Sequence, residues 1–267
     1  MIKPIVQDII LKGWGVDPDT YFGEYPIKVA IEIDPFESPS WINNNKLFKV
    51  ALQVEPPSVN NESVEQYLEK EGDKFDLILT YYSSILKSKK NSKLFYFGDS
   101  WIKEKSESIM KSKMVSFVTS NKNFTPGHAI RMQVVESMNK AINRFDLYGR
   151  GFNPIDKKEE GLNDYKFSIV IENEFMENWF TEKLVDCFRT KTIPIYKGCP
   201  NIKDFYNEKG IIFFNSIEEL SSILNDVNQN GDSIYDSMKK ELDDNYDRSW
   251  ADLEFNERVE IEINKHL

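Results

Sequence analysis

Residues 165–201 constrain the fold most, because YKFSIVIENEFMENWFTEKLVDCFRTKTIPIYKGCPN reads as strand, polar turn, helix and strand. The apolar run at 167–171 predicts a strand buried on both faces. Thr181 is a good N-cap for a helix that begins just after it. Three apolar residues then recur at helical spacing: Leu184, Val185 and Phe188. Residues 193–196 predict a second apolar strand, so the segment predicts two parallel strands joined by a helix.

The first turn of this predicted helix holds one residue of an unexpected charge. Glu182 suits the positive end of the helix dipole, but Lys183 does not. A phosphate bound at the helix N-terminus would satisfy both the exposed amides and the lysine. A solvated lysine paired with a nearby acid explains the same pattern equally well, so the helix alone leaves both interpretations open.

Two polar residues follow the first predicted strand directly. Glu172 and Asn173 stand at its carboxyl end, where open α/β sheets bind their ligands. The alternative is that both residues only cap a turn, since turns favour Asn for local reasons.

The segment resembles glycosyltransferase family 10, the α-1,3/1,4-fucosyltransferases, in residue type, order and spacing. The matching residues are Tyr165-Lys166-Phe167, Glu172-Asn173, Trp179, Thr181-Glu182-Lys183, Ile193-Pro194-Ile195, Gly198 and Pro200. The resemblance is good over residues 114–215, where residues 115–121 look like the first strand and turn of the family's donor domain, and Arg131, Tyr148-Gly149 and Lys157 continue the pattern. Over residues 47–102 it is looser, based on Val54-Glu55-Pro56-Pro57 and Phe75-Asp76-Leu77, and residues 1–46 are unplaced.

The fold class expected from this resemblance is α/β of the GT-B type, with two Rossmann-like parallel-sheet domains facing a central cleft. The chain itself alternates predicted strands (27–33, 48–54, 75–80, 93–97, 114–119, 144–147, 210–214) with predicted helices (63–70, 126–142, 216–228), which indicates parallel sheets. We expect an acceptor-binding domain at 1–113, joined by a C-terminal helix at 246–267. A donor-binding domain is expected at 114–245, after a charged segment at 102–113 that is either a linker or a solvated face.

The resemblance implies transfer of L-fucose from GDP-fucose to a glycan hydroxyl with inversion, in an α-1,3-type linkage to a GlcNAc-containing acceptor. It implies that Arg131 and Lys183 bind the diphosphate and that Glu182 contacts the ribose, with Thr181 among the donor-binding residues. Trp179 is expected near the nucleotide sugar, with a core aromatic as the alternative, and Glu172 and Asn173 are expected to shape the sugar pocket. The alternative for Arg131 is an ordinary surface helix residue.

Inversion also requires a base for the acceptor hydroxyl. The resemblance implies a glutamate at a strand end of the first domain, and Glu55 fits this position better than Glu37 does. Either glutamate could instead be a turn carboxylate on the surface. Because two cations can stabilise a diphosphate leaving group, we expect no strict requirement for a divalent metal. Two cysteines and two histidines offer no metal-binding spacing.

Composition excludes some partners and favours a compartment. A net charge of -10 argues against binding to nucleic acid. No apolar run reaches the ~20 residues of a membrane helix, although peripheral membrane contact is left open. No signal peptide or membrane anchor is recognised, so we expect a cytoplasmic protein of bacterial or viral type. Cys187 and Cys199 are the only cysteines in the sequence, which suggests a reducing compartment. Two functional alternatives stay open: the same fold with another nucleotide sugar, or a non-catalytic glycan- or nucleotide-binding relative.

Overall fold

The structure is a computed structural model that describes residues 28–60, 63–106, 109–138 and 145–267. Its strands are β1 (Lys28–Ile33), β2 (Leu47–Leu52), β3 (Leu77–Thr80), β4 (Ser92–Leu94), β5 (Lys113–Val118), β6 (Asp146–Tyr148), β7 (Tyr165–Ile171), β8 (Ile193–Lys197) and β9 (Ile212–Phe213). Its helices are α1 (Pro57–Asn60), α2 (Ser63–Glu71), α3 (Ser83–Ser88), α4 (Pro126–Met138), α5 (Glu182–Arg189), α6 (Ile217–Ser237), α7 (Lys239–Ala251) and α8 (Phe255–Asn264).

The chain divides into two compact units. One consists of Met1–Phe97, as far as it is described, with Leu253–Leu267, and the other of Gly98–Asp252. The chain therefore passes to the second unit before the predicted border at residue 113 and returns after residue 246. The predicted assignments at residues 1–27 lie outside the described residues.

The first unit is built on a parallel sheet with strand order β1-β2-β3-β4. Its inner strands are mostly apolar and largely buried, as expected for a sheet covered on both faces. Helix α8 adds Phe255, Val259 and Ile263 to the same core. The C-terminal segment from Leu253 onward belongs to the first unit, whereas α7 belongs to the second unit.

The second unit has a five-stranded parallel sheet in the order β6-β5-β7-β8-β9. Strand β7 lies at its centre and is buried along nearly its whole length. The two strands predicted at 167–171 and 193–196 are β7 and β8, which pair in parallel and are connected through α5. This is the predicted strand-helix-strand unit.

The border between the units lies earlier than predicted because a short segment after Phe97 is bonded to α5. Ser100 Oγ and the Trp101 backbone N–H both donate to Asp186 Oδ1, at 2.6 and 2.9 Å. Arg189 Nη1 donates to the Ile102 carbonyl at 2.7 Å. In the sequence, residues 102–113 are recognisable only as a charged segment. The hydrogen bonds that join this part of the chain to α5 could not be predicted from that charge.

Helix α6 is longer than the predicted helix 216–228. Ser216 caps it, with its hydroxyl accepting from the Glu219 N–H. The last turns are held by a bond that the sequence does not show, since Tyr235 Oη donates to the Lys191 carbonyl at 2.8 Å. Among the residues that the structure describes, no helix combines the length and apolarity needed to cross a bilayer.

Candidate functional site

The N-terminus of α5 is the centre of the candidate site. Thr181 is the N-cap, as predicted, and its hydroxyl accepts from the Lys183 backbone N–H at 3.4 Å. Lys183 Nζ donates to Glu182 Oε1 at 2.9 Å and to Thr181 Oγ1 at 3.1 Å. The lysine in the first turn is therefore paired with an acid, and its ammonium group is held at the N-terminus of the helix rather than extended into solvent.

The buried side chain of Glu172 is hydrogen-bonded to the N-cap of this helix. Its side chain is 0% exposed, and its carboxylate accepts from the Thr181 backbone N–H at 2.9 Å and the Thr181 hydroxyl at 2.7 Å. Its own N–H donates to the Lys197 carbonyl at 2.9 Å, which ties the end of β7 to β8. The Glu172 carboxylate also lies 3.9 Å from Lys183 Nζ. Glu172 thus holds the N-cap and counters the charge of the lysine.

Arg131 reaches the same edge of the sheet from α4. It is only 4% exposed, which does not fit the alternative of a surface helix residue. Its Nε donates to the Ile171 carbonyl at 2.9 Å and its Nη2 to Asn173 Oδ1 at 2.6 Å. The contact depends on Gly127, because a Cβ there would come within 1.7 Å of the Glu172 carbonyl oxygen. Arg131 and Asn173 are therefore brought together at the carboxyl end of β7.

The ionisable side chains of the site shift the pKa values of one another. Burial opposes ionisation of Glu182, but Lys183 and Lys158 hold the pKa of its carboxyl low, at about 2. Burial raises the pKa of Glu172, while Lys183 acts in the opposite direction. Burial also works against the charge of Lys183, yet Glu182 and Glu172 raise its pKa above the ordinary value. At neutral pH the helix end therefore carries a fixed cation beside an ionised Glu182.

Two further residues belong to this environment, and the sequence interpretation missed their role. His128 is buried at the start of α4, where its Nδ1 lies 2.7 Å from Thr125 Oγ1. Burial, with Arg131, Lys122 and Lys183 nearby, lowers the pKa of His128 to about 4, so it is neutral at pH 7. Lys158, rather than the exposed Lys157 that continued the family pattern, lines a cavity with Arg131 and Lys183.

Trp179 lies in the interior of the second unit, with 1% of its surface exposed. It is among the largest fully buried side chains that the structure describes. A contact between Trp179 and a nucleotide sugar stays a prediction, and the residue also fulfils the role of a core aromatic.

In the first unit, the carboxyl end of β2 holds Glu55 by its backbone. The Glu55 N–H donates to Asp34 Oδ2 at 3.1 Å, and the Glu55 carbonyl accepts from Tyr81 Oη at 2.5 Å. Asp34, at the end of β1, also accepts from the Val54 N–H at 2.8 Å. Glu55 is half-buried, whereas Glu37 is exposed on the segment after β1. Both the N–H and the carbonyl of Glu55 are therefore hydrogen-bonded, whereas Glu37 lies in an exposed segment.

Burial raises the pKa of Asp34 to about 6. The side chain is 1% exposed and its backbone has a φ of 50°, a left-handed conformation that Asp tolerates.

Among the described residues, no group of three or more His, Cys, Asp or Glu side chains is arranged to hold a metal ion.

Comparison with known proteins links the second unit to one family. Residues 108–240 match the model described as glycosyltransferase family 10 (fucosyltransferase) C-term. An α-(1,3)-fucosyltransferase, FucT of Helicobacter pylori, is 29% identical over 146 residues, which are 50% of this chain and 29% of that protein. The chain spans less than half the length of the curated relatives that it matches.

Solved structures extend the likeness to both units. The crystal structure of an α1,3-fucosyltransferase matches with a TM-score of 0.54 at 18% identity, over 82% of this chain and 70% of the other. The crystal structure of TarM matches with a TM-score of 0.57 at 12% identity, over 89% of this chain and 54% of the other. At such identities the likeness concerns the fold, and it confirms the predicted GT-B class.

Proposed function

Residues 108–240 belong to glycosyltransferase family 10 as its C-terminal domain, and from this premise we propose that the protein transfers L-fucose from GDP-fucose to a hydroxyl of a glycan acceptor. The observation that carries the proposal is the cluster at the carboxyl end of β7. There Arg131, Asn173, Glu182 and Lys183 lie around the N-terminus of α5, braced by the buried Glu172.

The cluster suits a nucleotide diphosphate. A helix N-terminus offers backbone N–H groups to an anion, and Lys183 adds a charge at the same place. Arg131 presents its guanidinium from the neighbouring helix α4, and an arginine can bind two phosphate oxygens at once. In the proposed reaction these cations stabilise the negative charge that develops on the departing GDP. We assign Glu182 to the ribose, because its carboxylate, ionised at neutral pH, can accept from two hydroxyl groups.

Inversion needs attack by the acceptor hydroxyl on the face opposite the leaving diphosphate, with a base to take its proton. We assign that base to Glu55 rather than Glu37. The support is that the Glu55 backbone is fixed by Asp34 and Tyr81, while its side chain keeps access to solvent. The cations at α5 supply the stabilisation that a divalent ion gives elsewhere, so we propose turnover without added metal.

A nucleotide panel tests the donor. Thermal shift or calorimetry with GDP-fucose, GDP-mannose, GDP and UDP should show binding of the guanine nucleotides and none of UDP. Stabilisation by UDP and not by GDP would replace this donor with another nucleotide sugar.

A release assay tests catalysis. Incubation of the whole chain with GDP-fucose and β-galactoside or GlcNAc acceptors, in EDTA, should release GDP only when an acceptor is present. Tight binding of GDP without release in the presence of any acceptor, with or without added divalent metal, would favour a non-catalytic binding protein. Release that requires added magnesium or manganese would refute turnover without metal.

A further inference from the structure

Lys158 borders the same small cavity as two other basic residues, Arg131 and Lys183. It opens the short 3-10 helix Lys158–Gly161 and lines a cavity of about 20 Å³ with Arg131 and Lys183. That volume holds about one water, far less than a nucleotide. The cavity therefore shows that the three residues border one small space, and it does not outline a ligand.

The fold fixes the segment that carries Lys158. Gly161 packs so closely on β5 that a Cβ there would come within 2.5 Å of Val118 Cγ2. The next residue is held as well, since the Leu162 carbonyl accepts from Lys111 Nζ at 3.1 Å and from Thr192 Oγ1 at 3.0 Å. Lys158 is thus presented from a fixed turn rather than from a loose loop.

The hydrogen-bonding state of Lys158 differs from that of its two neighbours. Lys183 Nζ donates to Glu182, and the Arg131 guanidinium donates to Asn173. The nearest carboxylate to Lys158 is Asp186, whose Oδ2 lies 4.0 Å from Nζ, beyond hydrogen-bond distance. Within the described ranges, no hydrogen bond of Lys158 Nζ is present.

Asp186 shows the same incomplete pairing from the other side. It is 0% exposed, and its Oδ1 accepts from Ser100 and Trp101. Its Oδ2 is buried and has no hydrogen-bond partner among the described residues. A buried carboxylate oxygen at this distance attracts the ammonium without using its donors. The three N–H donors of Lys158 therefore remain available to a ligand.

We propose that Lys158 is a third cation of the donor site that binds the diphosphate, and that Asp186 is the residue that positions it. The inference rests on the proposed function, since it takes the diphosphate of the donor as the ligand. Arg131 and Lys183 already have protein partners, whereas Lys158 brings unused donors to the same place.

The test compares Lys158→Met with Lys157→Met, an exposed neighbour of the same type. Calorimetry on the whole chain measures the Kd of GDP, GMP and guanosine. Lys158→Met should weaken GDP by about ten- to a hundredfold, as expected for one charge-assisted contact, and change guanosine little. Lys157→Met should change none of them. Equal losses for GDP and guanosine, or an unchanged Kd for GDP, would overturn the role of Lys158.

A second pair of variants separates a phosphate contact from mere neutralisation of Asp186. If Lys158 only balances the buried carboxylate, then Lys158→Met combined with Asp186→Asn regains the affinity for GDP, and the inference fails. If Lys158 binds phosphate, the double variant stays weak while its thermal unfolding returns toward that of wild type. Lys158→Arg, which keeps a charge, should retain GDP binding within a few-fold of wild type.

The two proposals fail in different ways. Wild-type protein that binds neither GDP nor UDP refutes the donor site and the inference together. Wild-type protein that binds GDP while Lys158→Met binds it equally refutes only the role of Lys158. Binding of UDP in place of GDP refutes the donor assignment, and the same comparison with UDP, UMP and uridine then decides the role of Lys158.

Discussion

The two units have the same architecture, but the ends of their strands are stabilised in different ways. At the carboxyl end of β7, side chains bond to side chains, with Glu172 to Thr181, Lys183 to Glu182 and Arg131 to Asn173. At the carboxyl ends of β1 and β2, Asp34 accepts backbone N–H groups and leaves the side chain of Glu55 outside that contact.

The difference explains why one edge has a recognisable motif and the other does not. Bonds between side chains require particular residue types at particular positions, so a site built from them leaves a signature in the sequence. A backbone N–H is the same at almost every residue, so the contact at Asp34 constrains only Asp34. We expect substitutions at the two edges to have different consequences, and four experiments test this expectation.

The largest effect is expected at the edge of the second unit, for Lys183→Ala. Loss of the positive charge at the N-terminus of α5 removes stabilisation of the leaving diphosphate and should lower kcat/KM about 100- to 1000-fold. The binding of GDP should also become weaker. Steady-state kinetics and calorimetry measure both effects. Lys209→Ala, an exposed lysine in the same unit, is the control and should behave as wild type. Unchanged kinetics of Lys183→Ala would remove this residue from the site.

A comparable loss of rate, but without a loss of donor affinity, is expected at the edge of the first unit. Glu55→Gln removes the proposed base and should lower kcat about 100- to 1000-fold while the Kd of GDP stays constant. Glu37→Gln is the matched comparison, because Glu37 is the other candidate base. If Glu37→Gln loses activity and Glu55→Gln does not, the base has been assigned to the wrong glutamate.

A smaller effect, on stability, is expected from Thr181→Val. This change removes the N-cap hydroxyl and leaves Glu172 Oε2 buried without its donor, which should cost about 1–3 kcal/mol of unfolding free energy. Urea denaturation measures the cost. Thr181→Ser keeps the hydroxyl and should lose less than half as much. Equal losses in the two variants would show that the methyl group, and not the hydroxyl, stabilises the helix end.

The smallest effect concerns pH and compares one aspartate from each unit. Burial raises the pKa of Asp34 and of Asp186 to about 6, so each binds a proton more tightly in the folded state than in the unfolded state. Their contribution to stability is therefore greatest at low pH and falls as pH rises from about 4 to about 6. Asp34→Asn and Asp186→Asn should each remove this contribution.

The two variants should differ above pH 7. Asp186→Asn removes a buried charge whose Oδ2 has no hydrogen-bond partner among the described residues and is offset by Lys158 at 4.0 Å, so it should cost less stability than Asp34→Asn. Asp34→Asn exchanges one of two accepting oxygens for an amide and should destabilise by about 1–3 kcal/mol. Urea denaturation at pH 4.5 and 7.5 gives both values. Equal behaviour of the two at pH 7.5 would mean that the Asp34 contacts contribute little.

Much of the second unit could be predicted from the sequence because its information is local. The N-cap Thr181, the stripe along α5 and the apolar strands β7 and β8 follow from neighbours in the chain. The polar residues of the site follow the same strand and helix directly. A resemblance carried by residues 165–201 could therefore point to this strand end and helix end, whereas the place of Lys158 beside Arg131 and Lys183 could not be read from it.

Only the tertiary structure decided the features that depend on distant residues. The border after Phe97 follows from bonds between Asp186 and Ser100, and the Asp34 contact joins the ends of two separate strands. The small cavity that Lys158 lines with Arg131 and Lys183 likewise draws on three segments of the chain. The sequence by itself determined the strand-helix-strand unit and the capped start of its helix, because these depend on periodicity and capping. Which charges meet there depends on packing, since burial and the distances between segments set their pKa values and their partners.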